Sequence, residues 1–191
     1  RHGNPEDVTI RQLETRDGVT ICVLYPGNRN DDGDCDQDGD WGGDRRERND
    51  TRVDFVVRLP AGLSLAAATV SGDITGRGLR SSVEARSVSG DVRLSGVDGS
   101  LVEATTVSGN LELESVEAAE VLANTVSGDV AFSGPVRAKG SYELKTLSGD
   151  VVMVIPAGSG AQVSGSTFSG QFRSDFALTS QATGKYTGSK R

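Results

Sequence analysis

The strongest constraint on the fold is a five-residue phrase, Val-Ser-Gly-Asp-Val, which occurs six times with small variations. The serines and glycines of the six copies are Ser71, Gly72, Ser89, Gly90, Ser108, Gly109, Ser127, Gly128, Ser148, Gly149, Ser169 and Gly170. Successive serines are 18, 19, 19, 21 and 21 residues apart. A fixed period near 20 residues is typical of repeat architectures, in which each unit stacks on its neighbours.

The residues around each phrase follow a strand pattern. Each copy has an apolar residue five positions before the phrase, a small or apolar residue two positions later, and the apolar residue that opens the phrase. These sets are Leu65, Val83, Val102, Val121, Tyr142 and Val163; Ala67, Ala85, Ala104, Ala123, Leu144 and Gly165; and Val70, Val88, Val107, Val126, Leu147 and Phe168. Alternation with polar residues predicts strands whose three apolar sets face a core.

A second short strand is expected after each glycine, as in Val92-Arg93-Leu94, and a further apolar site follows at Leu79, Val97, Val116 and Val136. One repeat cannot bury its own apolar face, whereas stacked repeats bury a continuous core. The sequence therefore predicts an all-β protein, a β-solenoid of about six coils. At ~4.8 Å per coil, these coils would extend over roughly 30 Å.

The chain before the repeats has a different pattern. Residues 8–13 and 19–25 read as strands, and Asp17-Gly18 between them is a hairpin signal. Residues 53–60 read as a further strand that ends in Pro-Ala-Gly. We expect an N-terminal strand region over residues 1–60 with an acidic loop insertion at 27–50, solenoid repeats over 61–172, and a polar segment over 173–191.

The acidic loop suggests calcium. Aspartates alternate with other residues and are followed by Gly39, as at the start of a calcium-binding loop. The candidate ligands are Asp34, Asp36, Asp38, Asp40 and Asp44. The motif then departs from the pattern, because Arg45 stands where a bidentate Glu is expected. The alternative is a solvated acidic loop that folds back on its own arginines.

The chain has two cysteines, Cys22 in the second predicted strand and Cys35 in the acidic loop. A disulfide between them would attach the loop to the sheet, which favours an oxidising compartment. The alternative is two free thiols.

The corner residues have a structural and a functional interpretation. Gly permits the backbone angles of a tight turn, and Ser or Asp can bond the free amides of the turn. The aspartates after the glycines, Asp73, Asp91, Asp129 and Asp150, could instead bind cations, but Asn110 and Gln171 interrupt that column. We favour structural corners.

Composition excludes several classes of partner. The net charge of −7 argues against nucleic acid and against docking to an anionic membrane. No apolar stretch reaches the length that a membrane-spanning helix needs. One histidine, His2, cannot supply a multi-histidine metal site.

The phrases, together with Leu24-Tyr25-Pro26 and Leu59-Pro60-Ala61-Gly62, resemble the bacterial adhesin family of β-strand-repeat proteins, a domain-of-unknown-function family. The resemblance extends over about residues 8–172. It implies an exported, cell-surface-linked protein with a right-handed β-solenoid (a β-helix), and it implies no catalytic residues.

Three functions follow as expectations. The first is a non-enzymatic extracellular structural or adhesin-like protein of the bacterial cell surface, which self-assembles through its solenoid ends into filaments and has a surface or glycan partner. The second is a calcium-dependent binding module. The third is a carbohydrate-active β-helix enzyme that would use outward glutamates: Glu84, Glu103, Glu112, Glu114, Glu117, Glu120 and Glu143. No convergent set of these glutamates is visible, so we expect no enzyme.

Overall fold

The computed structural model describes residue 6 and residues 8–16, 18–25, 51–167, 171 and 173–175. The chain divides into two compact units, Arg1–Arg58 and Leu59–Arg191. In the first unit, strands β1 (Thr9–Thr15) and β2 (Gly18–Leu24) pair antiparallel, with Thr15 opposite Gly18. The predicted N-terminal hairpin is confirmed.

The described part of the second unit consists of two five-stranded parallel sheets. The long-strand sheet contains β3 (Leu65–Ser71), β5 (Val83–Ser89), β7 (Asp98–Ser108), β9 (Glu117–Ser127) and β11 (Ser141–Ser148). The short-strand sheet contains β4 (Ile74–Arg77), β6 (Val92–Ser95), β8 (Leu111–Glu114), β10 (Val130–Ser133) and β12 (Val151–Val154). Because the chain alternates between the two sheets, each repeat contributes one strand to each.

The strand register places each repeat position beside its equivalent in the next repeat. Val102 lies between Val83 and Val121 in the long-strand sheet, and Leu111 lies between Val92 and Val130 in the short-strand sheet. Each repeat therefore adds one coil, and the described residues form five coils. The β-solenoid prediction is confirmed, and the sixth phrase falls mostly on residues 168–170 and 172, outside the described residues.

The core is a narrow stack of small and medium-sized side chains. Its fully buried columns are Val83, Val102 and Val121; Ala85, Ala104 and Ala123; Val92, Leu111 and Val130; and Leu94, Leu113 and Phe132. The predicted further apolar site is buried at Val97 and Val116. Each buried residue alternates with an outward one along its strand, as a sheet with one buried face requires.

The apolar residue that opens each phrase faces outward, so the prediction of a third inward set is wrong. The exposed fractions are 40% for Val70, 47% for Val88, 45% for Val107, 44% for Val126 and 82% for Leu147. The inward positions after Val83 and Ala85 continue to Ser87, which is 5% exposed, so Val88 must lie on the other face. Phe168 lies outside the described residues.

Two further sequence predictions are wrong. Residues 53–60 form no strand, and Val56 is 89% exposed. Residues 161–167 also form no strand, so Val163 and Gly165 are exposed rather than inward. A strand requires a neighbour to pair its backbone groups, and neither segment has one within the described residues.

Candidate functional site

The predicted corner residues lie where each long strand turns into a short strand. β3 ends at Ser71 and β4 begins at Ile74, so Gly72 and Asp73 form the turn. Equivalent turns follow β5, β7, β9 and β11. The corner residues in the described coils are Ser71, Gly72, Ser89, Gly90, Ser108, Gly109, Ser127, Gly128, Ser148 and Gly149. Ser169 and Gly170 lie outside the described residues.

Each corner glycine after Gly72 lies directly against the backbone of the preceding corner. A Cβ atom added at Gly109 would overlap the carbonyl oxygen of Gly90, and one added at Gly128 would overlap that of Gly109. Their φ angles, 159° and 144°, are also values that residues with a side chain rarely adopt. The close stacking of the coils therefore requires glycine at this position.

A column of hydroxyl groups, buried at Ser87, Thr106 and Thr125 and half-buried at Thr146, satisfies the glycine carbonyl oxygens. Thr106 Oγ1 donates a hydrogen bond of 3.0 Å to Gly90 O in the preceding coil, and Thr125 Oγ1 donates one of 3.0 Å to Gly109 O. Ser87 and Thr146 make the equivalent bonds to Gly72 O and Gly128 O, at 3.2 and 2.8 Å. This column was not predicted, although a Ser or Thr stands two residues before the phrase serine in every copy.

The column of Asp and Asn side chains satisfies the backbone amide of the same turn. Asp91 N donates to Asp73 Oδ1 at 2.9 Å, and Asn110 N donates to Asp91 Oδ1 at 2.8 Å. Asp129 N donates to Asn110 Oδ1 at 2.9 Å, and Asp150 N donates to Asp129 Oδ1 at 2.8 Å. Asn110 fits the column because its amide oxygen accepts in the same way as a carboxylate. We call these two columns together the corner ladder.

Ion pairs connect the outer faces of the coils. Arg93 contacts Asp91 at 2.6 Å and Glu112 at 3.4 Å on the short-strand sheet. Arg86 contacts Glu84 at 2.6 Å and Glu103 at 3.1 Å on the long-strand sheet. The hydrogen bond to Glu103, with the charges of both glutamates, raises the pKa of Arg86 above its ordinary value.

Arg137 connects three coils. Its guanidinium contacts Asp98 at 2.7 Å and Glu117 at 3.4 Å, and its backbone N–H donates to Tyr142 Oη at 2.9 Å. Lys145 pairs with Glu143 on the last long strand. Of the seven outward glutamates considered for catalysis, five thus have a cationic partner: Glu84, Glu103, Glu112, Glu117 and Glu143.

Both ends of the described solenoid present edge strands. β3 and β4 form one end, β11 and β12 form the other, and each has a single strand neighbour within the described residues. The apolar column of the phrases, from Val70 to Leu147, extends along the outside between these ends. At the second end Leu147 is 82% exposed and Val151 is 46% exposed, whereas the equivalent Val130 is fully buried.

The two other predicted sites fall largely outside the described residues. The candidate calcium ligands Asp34, Asp36, Asp38, Asp40 and Asp44 all lie there, as does Cys35. Cys22 lies on β2 opposite Arg11, and the described residues include no free cysteine. The disulfide and the calcium site therefore stay predictions.

Neither a metal site nor a membrane span occurs in the part of the chain that the structure describes. His, Cys, Asp and Glu side chains form no group of three that could hold a metal ion there. That part also has no helix with the length and hydropathy needed to cross a bilayer.

Comparison with known proteins places the solenoid in a described family. The family model described as Toastrack DUF4097 matches residues 54–191, which include all ten solenoid strands. No curated protein and no solved structure matches the chain.

Proposed function

The chain belongs to the Toastrack DUF4097 family, and from that premise we propose that it is a non-enzymatic extracellular structural protein, adhesin-like, whose solenoid assembles end to end. The observation that carries this proposal is the pair of open ends. β3 and β4 at one end, and β11 and β12 at the other, have backbone groups that no described strand pairs. Such edges are ready to pair with another chain.

The direction of the strands determines which contact is possible. All ten solenoid strands pair in parallel and the two ends differ, so the first coil of one copy can continue the last coil of another. That contact is heterologous, and a heterologous contact that does not close into a ring produces a filament. Burial of the partly exposed apolar residues at the ends would favour association.

The outer surface supports a structural role over an enzymatic one. Most of the outward glutamates pair with Arg86, Arg93, Arg137 or Lys145, and the contacts of the three arginines connect neighbouring coils, as a structural role requires. Location outside a bacterial cell and a glycan or surface partner are part of the proposal. The expected Cys22–Cys35 bridge is consistent with an oxidising compartment.

A calcium-dependent surface-binding module is the second candidate. The alternating aspartates before Gly39 favour it. Calcium-dependent protection of the acidic loop from proteolysis would support this function, and identical cleavage with calcium and with chelator would reject it.

Assembly is tested with a matched pair of substitutions at the open end. Val151 occupies the inward column of β12 and would be covered by a second copy, whereas its neighbour Val152 faces outward and is 52% exposed. Val151→Asp would place an unpaired charge under the next copy, which is costly. Val152→Asp would keep its charge in water.

Sedimentation velocity and negative-stain electron microscopy of the full chain are the measurements. We expect concentration-dependent oligomers for wild type and for Val152→Asp, and dispersed monomers for Val151→Asp. A wild-type chain that stays monomeric at every concentration would reject end-to-end assembly. Glycan-binding measurements on that monomer would then test the adhesin-like role alone.

A further inference from the structure

We propose that the contact between copies is a continuation of the corner ladder, with the first coil of one copy placed on the fifth coil of another in the register that coils use within one chain. This inference rests on the proposed end-to-end assembly and specifies its partner surface. The occupant of the open end is a second copy of this chain.

The ladder ends at the fifth coil with two acceptors. In the fourth coil, Gly128 O accepts from Thr146 of the fifth coil, and Asp129 Oδ1 accepts from Asp150 N of the fifth coil. The next acceptors in these columns are Gly149 O and the Asp150 carboxylate. Both residues are exposed at the end of the solenoid.

The ladder begins at the first coil with the matching donors. In the second coil, Ser87 and the backbone amide of Asp91 donate hydrogen bonds to the first coil. Their equivalents in the first coil are Thr69 Oγ1 and Asp73 N, and the described solenoid has no earlier coil to receive them. A second copy in ladder register therefore brings Thr69 to Gly149 and Asp73 N to Asp150.

The backbone pattern adds two bonds with the opposite polarity, in which the earlier coil donates and the later coil accepts. Gly128 N donates to Ser148 O at 3.0 Å, and Val130 N donates to Asp150 O at 2.9 Å. The equivalent donors one coil later are Gly149 N and Val151 N, and their acceptors would be Ser71 O and Asp73 O of the next copy. The hydrogen-bond donors and acceptors at one end of the solenoid therefore match the acceptors and donors at the other end.

The apolar columns fit the same register. Leu147 lies at the end of the outward column and would lie beside Val70 of the next copy. Val151 would lie beside Ile74, just as Val92 lies beside Ile74 within the chain. Exposure of Leu147 and Val151 would fall towards the values of Val126 and Val130, which are 44% and 0%.

The competing occupant is the chain's own sixth phrase. Its approach residues, 161–167, are described and form no strand with β11. The described structure thus leaves the edge of β11 open, which favours the second copy.

Cysteine cross-linking tests the register directly. Ser71 and Ser148 are both exposed, and neighbouring parallel strands place paired Cα atoms ~4.8 Å apart, within the range for a disulfide. We expect Ser71→Cys/Ser148→Cys to form a series of covalent multimers under oxidised glutathione. A mixture of the two single variants should form a covalent heterodimer, whereas each single variant alone should form no covalent dimer, because a heterologous contact never brings two copies of one residue together.

The matched control is Ser71→Cys/Ser127→Cys. Ser127 is an exposed corner serine that already lies beside Ser148 of its own chain, so no covalent multimers should form. Homodimers of either single variant would overturn the proposal in favour of a symmetric contact. An intramolecular link in Ser148→Cys/Ser169→Cys would overturn it in favour of the sixth phrase. Oligomers of Ser71→Cys/Ser148→Cys that show no link between positions 71 and 148 would overturn the register but leave end-to-end assembly standing.

A second measurement concerns the ladder bond itself. Asp150→Ala removes the acceptor for the next copy but keeps the bond from Asp150 N to Asp129, so monomer stability should not change. We expect the concentration at half-assembly to rise about tenfold, as loss of a charge-assisted hydrogen bond predicts. Asp150→Asn keeps an acceptor oxygen, as Asn110 does, and should assemble close to wild type. Equal assembly of Asp150→Ala and wild type would contradict the proposed bond.

Discussion

Thr106 Oγ1 donates a hydrogen bond of 3.0 Å to the carbonyl oxygen of Gly90, from one coil to the coil before it. The side chain of Thr106 is buried, with 1% exposure. The close approach of Gly109 to the same carbonyl group leaves little room for any larger partner. The carbonyl group of Gly90 therefore packs against the next coil and also accepts a hydrogen bond from it.

Thr106→Val should destabilise the solenoid. The change keeps the shape of the side chain but leaves Gly90 O without its donor, and an unsatisfied buried acceptor costs about 1–3 kcal/mol. The free energy of unfolding in urea is the measurement. Thr106→Ser is the control, because Ser87 makes the equivalent bond. Equal stability of Thr106→Val and wild type would show that the bond contributes nothing.

Gly109→Ala should be among the most damaging single substitutions. Its Cβ would overlap Gly90 O, and relief requires the coils to move apart, at a cost of about 3 kcal/mol. Gly109→Val should be worse. Gly160→Ala serves as the control, because a Cβ there meets nothing within 4 Å. Thermal unfolding compares the two, and a tolerated Gly109→Ala would contradict the close packing of the corners.

Ser115→Gly should stabilise the protein. Ser115 has φ 52°, and the equivalent positions in the first two coils are Gly78 and Gly96, with φ 62° and 61°. A residue with a side chain pays about 1 kcal/mol for this conformation, and the change leaves the bond from Ser115 N to Ser133 Oγ in place. A higher urea midpoint is expected. The reciprocal change, Gly96→Ser, should lower it; a shift of both midpoints in the same direction would refute the argument.

Asn110→Leu should cost about 1 kcal/mol, because Asp129 N loses its acceptor. Asn110→Asp keeps the acceptor but adds a charge between Asp91 and Asp129. Its stability relative to wild type should therefore increase with salt, as like charges are screened. Unfolding at low and high ionic strength separates the two effects. If salt left the Asn110→Asp difference unchanged, repulsion within the column would be excluded.

Cys22→Ser and Cys35→Ser should lower stability equally, by roughly 3 kcal/mol, because either change breaks the same expected bridge. Thermal unfolding of the hairpin unit is the measurement, and thiol titration of the unfolded wild-type chain is its control. Unequal effects, or two titratable thiols, would count against the bridge.

The inward columns of Val83 and Ala85 were predictable from the sequence, because period-two alternation and a fixed repeat together determine which positions stack. The outward position of Val88 was not. Hydrophobicity alone made Val88 a better core candidate than Ser87, but a buried hydroxyl that satisfies a glycine carbonyl is stable, and strand geometry then forces Val88 outward. Parity along the strand, counted strictly from Val83, would have indicated this.

Residues 53–60 also show that local sequence alone does not determine the structure, here for a whole strand. Their apolar and β-branched residues predict a strand, yet the structure shows none. Strand formation depends on a partner edge, and local propensity cannot supply one. Of the candidate site, the corner serines and glycines were visible in the sequence, whereas the donors and acceptors that connect them were not.

The sequence by itself determined that this chain is a stack of similar coils, because a repeated phrase with strand periodicity can bury its apolar face only against its neighbours. Only the tertiary structure decided what the repeated polar residues do. The hydrogen bonds of the corner ladder join residues 15 to 21 positions apart, and their partners are defined only once the register places one corner on the next. The same register determines that the ladder ends in acceptors at Gly149 and Asp150 and begins with donors at Thr69 and Asp73.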